Sequence, residues 1–177
     1  MKSLTQHITE KLVLKKKLKT TKFFPKTKAE LKKLLDQLID ERGNEADLND
    51  IDTSAITDMA VLFDYSDFNG DISEWDVSNV NYMKYMFAHS KFDGDLSGWN
   101  VSSVKDMEGM FYDSEFTAKN GDISGWDVSN VTNMKGMFMD SKFVVDISKW
   151  DVSNVTDLRF IFDGCRIKEE YKPKGIK

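Results

Sequence analysis

"GDISEWDVSNVNYMKYMF", Gly70–Phe87, returns in near copies three more times. It reads "GDLSGWNVSSVKDMEGMF" over Gly94–Phe111, "GDISGWDVSNVTNMKGMF" over Gly121–Phe138 and "VDISKWDVSNVTDLRFIF" over Val145–Phe162. The tryptophans Trp75, Trp99, Trp126 and Trp150 stand 24, 27 and 24 residues apart. The phenylalanines Phe63, Phe87, Phe111, Phe138 and Phe162 stand 24, 24, 27 and 24 apart. The 27 reflects a three-residue insertion in "FTAKNGD", between Phe116 and Asp122. A degenerate earlier copy begins near Asp47, with Ile51 in the tryptophan slot and Met59 and Phe63 in register. Five turns therefore occupy about residues 47–167, and a period in this range signals a repeat architecture.

Within one copy the apolar residues run Ile72, Trp75, Val77, Val80, Met83. The first part has the spacing of a leucine-rich core, L-x-x-L-x-L. Alternation from Trp75 to Val77 is strand-like. The later steps, through Val80, Met83, Met86 and Phe87, are helix-like, and Ser78 or Asn79 stands where an N-cap would. The pattern predicts an α/β repeat: per copy a short parallel strand, a turn, and one or two helical turns. Stacked copies bury like on like. The expected core is Trp75, Trp99, Trp126 and Trp150 with Phe63, Phe87, Phe111, Phe138 and Phe162. An exposed tryptophan ladder for stacking on sugars is the alternative.

The string "DISxWDVSNVTxMxxMFxxSxF" closely resembles the BspA-like leucine-rich repeats of bacterial surface proteins, which also occur in phages of gut bacteria. The resemblance covers about residues 47–167. It implies a right-handed leucine-rich-repeat-like solenoid with a non-enzymatic binding role, often adhesion.

Four segments are expected: a basic N-terminal arm over 1–26, an amphipathic capping helix within 27–46, the repeats over 47–167 and a polar, frayed tail over 168–177. Thr27 followed by Glu30 is a capping-box signature. Leu31, Leu34, Leu35, Leu38 and Ile39 mark one face of a helix over about 27–42, and Gly43 is a natural stop. That helix covers the first repeat or takes a partner. Charge is divided sharply. Residues 1–33 carry eleven lysines against Glu10 and Glu30, a net +9, and residues 34–177 carry a net −14. The lysine-rich arm "KLVLKKKLKTTKFF" is open to three readings: an edge strand guarded by lysines, a phosphate-contacting segment, or a segment docking on the acidic body of the same or another copy. The acidic body disfavours nucleic acid.

The residues between the inward positions form the expected partner-binding face: Asp52, Asp76, Asn100, Asp127 and Asp151 in one column, flanked by Glu74 and Lys149. The same aspartates would also serve as local turn acceptors for serine, or as oxygen ligands for calcium. Asp71, Asp95, Asp122 and Asp146 follow Gly70, Gly94, Gly121 and Val145 and read as turn signals. No nucleophile–base set, phosphate loop or metal motif stands out. His7 and His89 have no ligand-spaced partners, and the single Cys165 holds the slot of Ser66, Ser90, Ser114 and Ser141. The expectation is no enzyme, no metal and no cofactor.

Another protein is the expected partner, with self-association and a carbohydrate-binding module as alternatives. No apolar run approaches the roughly 20 residues of a membrane span, and the first residues lack a signal-peptide apolar region. Those features point to a cytoplasmic or phage-associated place, or to the cell surface if a signal precedes the chain.

Overall fold

The computed structural model describes residues 22–176. Most of the basic arm, His7 included, lies outside the described residues. Among the described residues one α-helix, α1 (Lys28–Arg42), precedes the repeats, and a single 3-10 turn, Glu169–Tyr171, follows them. Thr27 caps α1 by accepting the Glu30 N–H, and Glu30 reaches back to the Lys26 N–H. The Gly43 N–H closes the last turn on the Ile39 carbonyl. Leu31, Leu35 and Leu38 are buried and join the main core. Arg42 pins the helix to the first repeat: both of its terminal nitrogens donate to the Asp50 carboxylate at 3.0 Å, and its guanidinium lies over the Phe23 ring.

The leucine-rich-repeat-like solenoid of strand-plus-helix units is not what the chain forms. Among the described residues there is no sheet and no helix inside a repeat. Parallel pairing is confined to six isolated bridges, such as Tyr82 with Asp106 and Asp106 with Asn133. The expected parallel β architecture falls with it. Each repeat is built from turns.

The reason lies in where the backbone N–H groups go. Met83, Tyr85, Phe87 and His89 donate to the carbonyls of Asp106, Glu108, Met110 and Tyr112 in the next copy, at 2.8–2.9 Å. The residues between them donate backward within the copy: Met86 to Met83, and Ala88 to Tyr85. An α-helix needs every N–H for its i−4 carbonyl, so half of the donors leaving for the neighbour forbids it. The same donation to the next copy recurs from Met59, Met107 and Met134. Overlapping four-residue turns also advance the chain in steps of about three. That is why Val80, Met83 and Met86 imitate helical spacing.

The stretch expected as a strand consists of two turns, closed by Trp75 N–H to the Ile72 carbonyl and Val80 N–H to the Val77 carbonyl. Side chains still alternate there, with Trp75 and Val77 buried and Asp76 exposed.

Stacking runs along the core. Phe63, Phe87, Phe111, Phe138 and Phe162 form one column, with neighbouring centroids 5.4–5.9 Å apart and planes within 3–7° of parallel. Phe68, Phe92, Phe116 and Phe143 slot beside it. The four tryptophans are only 3–5% exposed. Each indole N–H donates to a carbonyl of an earlier copy, as Trp99 does to Ile72 and Trp126 to Leu96. Phe162, in the last copy, is half-buried. The tail folds back there: the Ile147 N–H donates to the Tyr171 carbonyl and Lys172 lies over the Phe162 ring. Copies approach so closely that a methyl on Gly70 would meet the Ala46 carbonyl oxygen at 2.1 Å. No described helix is long and apolar enough to cross a membrane.

Candidate functional site

Asp52, Asp76, Asn100, Asp127 and Asp151 occupy one position in five successive copies, and each accepts from the serine two residues on. Asp76 Oδ1 takes the Ser78 N–H at 3.0 Å and its hydroxyl at 2.6 Å. Asn100 makes the same pair with Ser102, at 3.2 and 2.7 Å. Asp71, Asp95, Asp122 and Asp146 hold their serines in the same manner at the preceding turn. Asn79, Asn130 and Asn154 then tie one copy to the one before, donating to the Ser54, Ser102 and Ser129 carbonyls. Serine bonds hold the Asp52, Asp127 and Asp151 carboxyls below the usual carboxylate range. The Arg159 side chain, helped by its backbone N–H, takes Asp157 to about 2.

At least one oxygen of each such carboxylate is thus engaged in shaping a turn. Asp76, Asn100, Asp127 and Asp151 nevertheless remain exposed, as do Glu74 and Lys149. Asp52, Glu74 and Asp76 come together in a cleft of about 870 Å³ beside the end of α1, facing Arg42 and Asp50. Asn100, Asp127, Lys149 and Asp151 do not line it. Among the described residues no group of three His, Cys, Asp or Glu side chains is placed to hold a metal ion. Burial pushes the Cys165 thiol above its ordinary range.

A second surface was not apparent from the repeat pattern. The turn run of every copy holds two residues in the left-handed region. The first column is Val61, Tyr85, Gly109, Gly136 and Phe160; the second is Tyr65, His89, Asp113, Asp140 and Gly164. All ten have φ between 47° and 70°. That conformation costs a residue with a Cβ about 1–2 kcal/mol, yet only three of the ten are glycine. Tyr65 stacks on His89 with centroids 4.0 Å apart, and His89 Nδ1 sits 3.0 Å from Asp64. Lys84 and Tyr85 both donate to Glu108, at 2.7 and 3.2 Å. The signal available in sequence was the glycines themselves: a column mixing Gly109 and Gly136 with Tyr85 and Phe160 marks a backbone need.

A family described as "Mycoplasma protein of unknown function, DUF285" matches residues 30–119 and again 114–170, together well over half of the chain. No curated protein and no solved structure matches it.

Proposed function

The chain belongs to the DUF285 family, and on that premise we propose that it is a non-enzymatic protein-binding module that displays rows of equivalent side chains to another protein. The observation that carries this reading is the repetition of exposed residues at fixed spacing along a stacked core. Repeated carboxylates sit in near-identical environments, whereas acid–base chemistry needs two groups tuned apart. The resemblance of the repeat string to BspA-like surface proteins supports an adhesion-type role. The burial of all four tryptophans leaves no indole face for a sugar, so the protein-binding reading is favoured over a glycan one.

The face to test is the column of Asp76, Asp127 and Asp151. Asn100 already occupies that column with the same serine bonds. Replacing Asp76, Asp127 and Asp151 by Asn therefore removes charge while keeping the turns. In affinity capture from a lysate of the organism carrying the gene, the wild type should retain a protein that the folded triple variant loses. Equal capture by both removes this face, and no capture at all sinks the binding reading.

A further inference from the structure

We infer that the left-handed turn ridge carries a docking groove for a basic peptide segment bearing apolar side chains. This rests on the protein-binding reading and assigns it a second, separate surface. Tyr85, Tyr112, Met139 and Phe160 wall a groove of about 250 Å³, and the buried Gly109 and Gly136 line it with bare backbone. The Tyr85 ring lies directly over Gly109, where an added methyl would stand 2.1 Å from a ring carbon.

The residues at the strained positions are the first argument. Glycine accommodates positive φ freely, so a large side chain persists there against the backbone preference. Burial does not explain it: Phe160 is 53% exposed, Tyr65 74% and Val61 45%. Exposed aromatic groups held on a rigid, strained backbone are a feature of interaction sites.

Charge identifies the occupant. Asp113, Asp140 and Asp163 follow Tyr112, Met139 and Phe162 in sequence, and all three are exposed. The Asp113 N–H reaches the Met139 carbonyl and the Asp140 N–H reaches Asp163, so they sit in successive copies. Unlike the aspartates of the serine turns, these carboxylates hold no hydrogen-bond or ion-pair partner among the described residues. Lys135 itself lines the groove and shares Glu108 with Lys84. Two lysines against Glu108 leave one positive charge, which the carboxylates of Asp113 and Asp140 outweigh. An apolar side chain in the groove and a lysine or arginine on Asp113 and Asp140 satisfy both features at once. A nucleic acid or an acidic peptide would be repelled.

The test is fluorescence polarisation on the full chain, with a labelled peptide of alternating lysine and leucine and its glutamate–leucine counterpart. The lysine peptide should bind, more weakly as salt rises, and the glutamate peptide should not. Two variants respect the backbone: Phe160→Gly suits φ of 61°, and the pair Asp113→Asn with Asp140→Asn keeps side chains that tolerate this region. Each should fold as stably as the wild type and weaken binding by about tenfold or more. The pair Asp122→Asn with Asp146→Asn is the control, since it removes the same charge from serine turns that do not line the groove and should bind the peptide unchanged.

Failure of the wild type to bind the lysine peptide, equal binding of both peptides, or full affinity in the folded ridge variants would overturn the groove. So would binding of a glycan instead of the peptide. If lysate capture persists with Phe160→Gly while the peptide fails, the groove is wrong and the binding reading stands; if capture also fails in the wild type, both are wrong.

Discussion

Replacing Phe111 by alanine tests whether the repeats are held by the ring stack or by the backbone ladders. Phe111 is fully buried, and its ring lies between Phe87 and Phe138 at 5.6 Å on either side, within 4° and 6° of parallel, with Phe116 at 4.0 Å. Truncating a buried phenylalanine costs about 3–5 kcal/mol. This site belongs at the upper end. The Phe111 N–H is tied to Met137 and the Phe87 N–H to Met110, so the flanking copies cannot close over the hole. We expect about 5 kcal/mol.

Phe162 offers the internal comparison. It is half-buried, has one ring neighbour at 5.9 Å and is covered by Lys172. Phe162→Ala should cost about 1.5 kcal/mol, the lower range for burying such a side chain. Urea unfolding followed by circular dichroism gives both values, provided that the transition stays two-state, as a short array of tightly coupled repeats should. A double-mutant cycle between Phe87 and Phe111 should return a coupling of about 0.5–1.5 kcal/mol. Equal losses at Phe111 and Phe162, or a loss below about 1 kcal/mol at Phe111, would refute the stack as the main tie between copies.

Three further outcomes are expected. Asp52, Asp127, Asp146 and Asp151 are held below their ordinary range, and Asp157 at about 2. Carboxyls depressed in the fold add stability above their unfolded value and lose it as pH falls through the folded value. The urea midpoint should therefore drop below about pH 4, and Asp151→Asn should flatten part of that slope. Asp50→Ala leaves the partly buried Arg42 without its carboxylate and should cost about 3 kcal/mol; adding Arg42→Met should recover most of it, read again by urea midpoints. Tryptophan emission should be blue-shifted and indifferent to added glycans, because the indoles are buried with their N–H groups engaged. Emission typical of water-exposed indole would contradict this packing.

The period, the insertion, the inward columns and α1 were legible in the sequence because they rest on local or strictly repeated signals. Thr27, Glu30 and Gly43 mark the helix ends by chemistry confined to a few residues, and the tryptophan and phenylalanine columns follow from counting. The serine-capped turns were legible as one of several readings, since an aspartate two residues before a serine has an obvious local acceptor role.

Tertiary structure alone decided what the backbone does inside each copy. A step of three residues between Val80, Met83 and Met86 suits a helix and a run of overlapping turns equally well. The choice falls to the N–H groups of Met83, Tyr85, Phe87 and His89, which find carbonyls one copy away. That pairing exists only once copies lie in register, and it forces left-handed backbone at Tyr85 and His89. The exposed ridge is a consequence of stacking. No pattern within a single copy of 24 residues contains it.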